Sequence, residues 1–224
     1  MKLSKVSIKR LVLLALAIAC LVPAMPAAAE TERPSRAEAL AALGKSDADE
    51  RRRGALGLAI IGRMEDAPKL IAALRDADER VRVVAEQALW AVWSRSGDAR
   101  VDELFAQGVA QMGEQRLPAA IATFTRIIEL KPGFAEGWNK RATAYFLAGE
   151  YRRSLKDCDE VIKRNPQHFG VLSGYGQIYL HLDQPEKALE FFRRALEVNP
   201  NLEGVQGLAE RLDSMMVRRR QRSI

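Results

Sequence analysis

The chain has 224 residues, of which 48% are hydrophobic, 29% charged and 6% aromatic, enough for one or two domains with real cores and against disorder over most of its length. Its formal charge is +6, but Lys2, Lys5, Lys9 and Arg10 stand at one end and Arg218, Arg219, Arg220 and Arg222 at the other, and residues 30–217 between them carry −2. That balance excludes a global basic field for nucleic acid.

The N-terminal cations lead into an apolar run from Leu11 to Val22 and then into Ala27-Ala28-Ala29. This pattern reads as a secretory signal peptide over residues 1–29, cleaved near Ala29, because the run falls short of the ~20 apolar residues a spanning helix needs. A periplasmic or secreted location follows. Ala17-Ile18-Ala19-Cys20 resembles a bacterial lipoprotein processing box with Ala17 where Leu is usual, so lipidation at Cys20 is the alternative. Beyond residue 29 only Cys158 remains, so no internal disulfide forms and packing alone holds the fold.

Residues 36–95 carry a repeat. Asp-Ala-Asp-Glu-Arg occurs at 47–51 and again at 76–80, each time after Ala-Ala-Leu and before an Ala-rich amphipathic stretch. Asp47 with Glu50, and Asp76 with Glu79, fit a capping box at a helix start. The arrangement resembles bacterial HEAT-like repeats. That resemblance implies a ladder between units made by the pairs Asp47 to Arg53 and Asp76 to Arg82, and two units continuing into the next array as one solenoid. Trp90 and Trp93, three apart on one helix face, are expected to pack against the first helix of that array.

Pro132, Pro166 and Pro200 follow at a constant spacing of 34 residues. Small residues recur at fixed distances before them, Gly108, Ala142 and Gly176 and then Ala120, Ser154 and Ala188. Bulkier residues recur too, Leu104, Trp138 and Leu172 and then Phe124, Cys158 and Phe192, as knobs for those holes. The constellation resembles the tetratricopeptide repeat, in three units at 101–134, 135–168 and 169–200. Each unit is a helix pair, 101–114 with 118–130, 135–148 with 152–164, and 169–182 with 186–198. Gln107 and Arg141 replace apolar residues of the family pattern, and Gln111 replaces Tyr.

Leu202, Val205, Leu208, Leu212 and Met215 keep the helical period, giving a capping helix over 201–216 and a basic tail over 217–224. The tail's Arg218, Arg219, Arg220 and Arg222 suit weak contact with a membrane surface, or simple solubilisation of a chain end. The expected fold class is all-α, an α-solenoid of helix-turn-helix repeats in which HEAT-like units precede three tetratricopeptide repeats and a capping helix.

The resemblance implies that the first helix of each pair lines a concave groove. Its exposed residues are then Phe105, Val109 and Met112 in the first unit, Asn139, Lys140, Thr143 and Phe146 in the second, and Ser173, Gln177 and His181 in the third. Such a surface, apolar at one end and polar at the other, suits an extended peptide or a partner helix. Some relatives grip the acidic C-terminus of heat-shock chaperones; here Phe105, Val109, Lys140, Gly170 and Gly174 stand at the clamp positions, and four of the five lack the polar group.

Catalytic chemistry is not legible. Cys158 falls on a core position, and neither His168 nor His181 has a second ligand at metal spacing; no phosphate loop or nucleophile elbow is present. No metal or cofactor is expected. The junction Leu89 to Asp98, with Gly137 to Thr143 and His168 to Gly174, looks like segments of Gram-negative envelope tetratricopeptide proteins. The reading is an exported, non-enzymatic interaction scaffold. The alternatives are a lipid-tethered structural subunit or assembly factor of an envelope complex and, further off, an enzyme using Cys158 with a histidine.

Overall fold

The computed structural model describes residues 35–221. The signal-peptide reading over 1–29, Cys20 included, lies outside the described residues, as do Arg222 and the side chains of Arg219 and Arg220. Among the described residues the chain forms eleven α-helices, one 3-10 turn and no strand.

The first four helices are α1 (Arg36–Ala42), α2 (Ala48–Ile61), α3 (Ala67–Ala73) and α4 (Glu79–Trp93), with the 3-10 turn Met64–Asp66 ahead of α3. Ser35 and Glu38 form a reciprocal capping box at α1. Gly54 of α2 lets the two helices of the first hairpin touch, because a Cβ there would overlap the backbone at Ala39 and Leu43. Ala55, Leu58, Leu70, Ala85 and Leu89 close the core between hairpins, and α2 packs along α4.

Two expectations are corrected here. Asp47 caps α2 by accepting the Glu50 N–H, but the same pentapeptide at 76–80 starts its helix two residues later, with Asp78 as cap of α4. The physical reason is that Asp76 is engaged elsewhere: its carboxylate takes two hydrogen bonds of 2.7 Å from Arg51 and accepts the Asp78 N–H. The rung between units is therefore Arg51 to Asp76, while Arg53 is exposed and Arg82 reaches Asn201 and the Asp76 carbonyl. A second rung joins Arg36 to Asp66. Both arginine forks hold their partner carboxyls below the usual range, chiefly through these hydrogen bonds.

Three helix pairs follow: α5 (Ala99–Gly113) with α6 (Leu117–Leu130), α7 (Ala135–Leu147) with α8 (Tyr151–Arg164), and α9 (Phe169–His181) with α10 (Pro185–Val198). Gly108 receives the Phe124 ring and Gly176 the Phe192 ring so closely that a Cβ on either glycine would overlap it. In the middle pair, Ser154 donates a 2.7 Å hydrogen bond to the Ala142 carbonyl and Cys158 fills the space of the sister phenylalanines. The hinge inside each pair turns on a left-handed residue, Gln115, Gly149 and Asp183 with φ of 59°, 75° and 54°. Of the three departures from the family pattern, Gln107 is exposed, Gln111 accepts from Thr123 at 2.8 Å, and Arg141 grips Asp157 with two bonds of 2.7 and 2.8 Å. The last helix, α11 (Glu203–Gln221), covers α10 with Val205, Leu208, Ala209 and Leu212 and runs on as helix through residues 217–221.

The position of α4 differs from the expectation. Trp90 and Trp93 do not meet the first helix of the array; they pack on His168 and Phe169 at the start of α9. The turn after α4 passes through Gly97 at φ 75°, and the indole pair faces the turn ahead of α9. Farther along the same seam, Glu86 accepts from Asn199, Arg82 meets Asn201, Asn201 donates to the Leu74 carbonyl, and Arg75 meets the carbonyls of Glu197 and Val198. The N-terminal hairpins thus lie across the inter-repeat turns of the array.

Candidate functional site

The first helices of the second and third pairs, α7 and α9, wall a cleft whose floor is the small-residue seam between α7 and α8. A cavity of about 160 Å³ opens there. Ala142 and Cys158 form part of its floor, and Asn139, Thr143, Phe146 and Gln177 part of its rim. Helical spacing explains the grouping: Asn139, Thr143 and Phe146 are four and three residues apart on one face of α7. No lining residue is charged.

Most polar groups of the rim are already paired. Thr143 donates to the Asn139 carbonyl at 2.9 Å, and the Asn139 amide donates to both oxygens of Glu136 at 3.1 and 2.9 Å. Gln177 is exposed. The cavity therefore offers an apolar hole with an amide at its edge. An apolar cavity of about 150 Å³ holds a benzene ring, so this one matches a single leucine-sized or aromatic side chain.

The remaining residues expected in the groove lie outside this cavity. Phe105 stacks edge-on against Phe124 and Phe134 and, with Met112, packs against the core of the first pair. Val109 is exposed on α5. Ser173 is buried and donates to the Phe169 carbonyl at 2.9 Å. His181 stacks on Tyr151 and meets the edge of Phe146. Lys140 places its Nζ 3.9 Å from Glu136 and 5.9 Å from the centre of the Trp90 ring.

Glu136 and His168 were not singled out as a pair by the sequence. Both are fully buried, and His168 Nε2 lies 2.5 Å from Glu136 Oε1. His168 Nδ1 accepts the Val171 N–H at 3.2 Å, so it also caps α9, and the ring proton faces Glu136. Burial pushes the Glu136 carboxyl up, but the His168 hydrogen bond, the neighbouring charges of His168 and Lys140, and the Asn139 amide outweigh it and leave the carboxyl below its ordinary value. Trp93 stacks on a face of the His168 ring, ring centres 4.4 Å apart. Glu136 and His168 lie 32 residues apart, and only the stacking of α7 beside α9 unites them.

Cys158 is 3% exposed, and burial pushes its thiol up to about 12. A thiol so placed is protonated at neutral pH and no nucleophile. His168 and His181 serve other partners, as described above, and no cluster of metal-ligating side chains occurs among the described residues.

A family model described as tetratricopeptide repeat matches residues 105–168, and a second of the same description matches 145–212. A TPR repeat-containing protein of Rhizobium etli is 36% identical over 142 residues, 62% of this chain and 69% of that protein. Hsp70-Hsp90 organizing protein 1 of Glycine max is 27% identical over 116 residues, half of this chain but 20% of that protein. Among solved structures, the first TPR of Spaghetti (RPAP3) bound to the HSP90 peptide SRMEEVD aligns with a TM-score of 0.51 at 21% identity, over 54% of this chain and 96% of that one. The Sgt2 TPR domain from Aspergillus fumigatus aligns with a TM-score of 0.52 at 18% identity, over 55% and 83%. At these identities the structural likeness concerns the fold.

Proposed function

Because the chain belongs to the tetratricopeptide repeat family, we propose that it is an exported, non-enzymatic scaffold that binds an extended peptide or a partner helix in the groove walled by α7 and α9. The observation that carries this reading is the uncharged cavity between those helices, sized for one apolar side chain. The HSP90 peptide bound to the Spaghetti domain, and the chaperone-organising relative, support peptide binding as the mode. They do not supply the partner: Val109, Gly170 and Gly174 offer no anion-binding group, and Lys140 is already engaged by Glu136 and Trp90.

Gly174 provides the test. It lines the cavity, and a Cβ built on it would meet nothing within 4 Å, so a large side chain there enters the cleft without disturbing the core. Peptides selected from a random library on the wild-type protein are expected to lose about tenfold or more in affinity on Gly174→Trp, the loss of roughly one buried anchor. Thermal stability is expected to hold, since replacing glycine inside a helix favours the helix. Equal affinity for both proteins would refute the groove.

The N-terminal hairpins are read as two HEAT-like units, supported by the 29-residue repeat of their pentapeptide and by the packing of α2 along α4. The location is read as the periplasm, from the leader pattern of residues 1–29. Weak contact of Arg218, Arg219, Arg220 and Arg222 with a membrane surface accompanies it. The mass of the mature N-terminus tests the export route: Glu30 at the start is expected, a lipid-modified Cys20 would instead make the protein a tethered envelope subunit, and an intact Met1 would overturn export.

A further inference from the structure

A second cavity, of about 200 Å³, lies at the junction where the chain leaves α4, and it shares no lining residue with the groove. One side is apolar, made by Val92, Trp93 and Phe134; the other carries Arg95, Lys131 and Arg164, and no acidic residue lines it. The cations are held by backbone. Arg95 donates to the carbonyls of Gly62 and Ala59, Lys131 to that of Ser96, and Arg164 to that of Pro132. Arg164 also pairs with Glu160 at 2.7 Å, but among the described residues no ion pair reaches Arg95 or Lys131. Trp93 is 4% exposed, and its Nε1–H is buried without a hydrogen-bond partner among the described residues.

Two cations oriented by carbonyls and not neutralised by carboxylates, beside an aromatic wall, form the complement of a specific ligand. A carbonyl fixes the direction of a guanidinium or ammonium but leaves its charge in place, whereas a carboxylate would cancel it. We propose that this junction cavity is a binding site for a small organic monocarboxylate with an apolar body, the carboxylate meeting Arg95 and Lys131 and the body lying against Trp93 and Phe134. The volume sets the size: about 150 Å³ accommodates benzene, so a ring bearing one carboxylate fills the space. Because the cavity is bounded by residues from the end of α4 and from the turns before α7 and α9, the ligand would bridge the N-terminal hairpins and the repeat array.

The test uses the full chain with benzoate as probe, benzamide as its uncharged counterpart and inorganic phosphate as an anion without a body. Titrations followed by tryptophan fluorescence, to which Trp93 contributes, and by calorimetry are expected to show benzoate binding about tenfold or more tightly than either of the others, the worth of one charge-assisted contact. Lys131→Met is expected to remove that preference while benzamide affinity stays. Ala135→Leu, which narrows the cavity from its rim, is expected to abolish binding of all three, and it serves equally if Lys131→Met does not fold. Equal affinities for benzoate and benzamide, phosphate binding as tight as benzoate, or no benzoate binding would each overturn the proposal. None of these measurements involves a peptide, so their failure leaves the groove reading standing, and the converse holds.

Discussion

His168→Ala is expected to cost about 3–5 kcal/mol, the usual loss when the hydrogen-bonded partner of a buried carboxylate is removed and its charge is left uncompensated. For a domain of this size that lowers the melting temperature by roughly 10 °C. The truncation leaves the Glu136 carboxylate fully buried with only the Asn139 amide and Lys140, 3.9 Å away, to answer it, and it opens a space beneath Trp93. The loss should depend on pH in a definite direction. In the wild type the Glu136 carboxyl is depressed in the folded state, so its contribution is present above the unfolded carboxyl range near 4 and is lost as pH falls through the folded value. In the variant the unpaired carboxyl takes up a proton more readily, so the gap between the two proteins should shrink as pH is lowered from about 7 towards about 4. Urea midpoints measured across that range check it. A gap that is constant with pH would mean that the loss comes from packing alone.

The second large effect is Phe192→Ala, expected to cost about 3–5 kcal/mol as the Phe→Ala cavity in a closed core. Its ring is fully buried and seated on Gly176. The partner substitution is more discriminating. Gly176→Ala gains about 1 kcal/mol in helix propensity, yet its Cβ would overlap the Phe192 ring, so a net loss of about 1–3 kcal/mol is expected. Gly176→Ala combined with Phe192→Leu should be more stable than Gly176→Ala alone, because the ring edge that the new methyl strikes is gone. Denaturant unfolding of the four proteins supplies the cycle, and strict additivity would contradict the knob-and-hole contact.

The repeat chemistry was legible because it is local and periodic. Gly108 facing Phe124, Gly176 facing Phe192 and Ala142 facing the Ser154–Cys158 seam follow from residues recurring every 34 positions. The exceptions arose where a long-range partner competes for a side chain. Asp76 looks the same as Asp47 in sequence, but Arg51 sits opposite it and the helix cap passes to Asp78. The HEAT-like resemblance implies an Asp to Arg ladder six residues along the chain, whereas the arginine that serves comes from the preceding unit. Trp90 and Trp93 found their ring partners some 75 positions away, and no period encodes that distance. Within the candidate groove, Asn139, Thr143 and Phe146 lie on one face of α7 and share a cavity with Gln177. Phe105 and Met112 instead pack against the core of the first pair, where the Phe124 and Phe134 rings flank Phe105. The left-handed hinge residues Gln115, Gly149 and Asp183 carry only one glycine, so side-chain identity alone could mark just one of the three.

Linear repeat arrays are quasi-one-dimensional: each unit touches its neighbours, and the ends fray independently. The seam from α4 to the last turns changes that topology. Arg75, Leu74 and Arg82 are fastened to residues 197–201 across more than a hundred positions of sequence. The N-terminal hairpins and the turn that closes the last repeat are thereby stitched together. Such closure raises the contact order, which slows folding because a long chain segment must be captured before the contacts repay its entropy. It also ties the N-terminal hairpins to the last repeat, so these two parts are expected to unfold together rather than in separate melting steps.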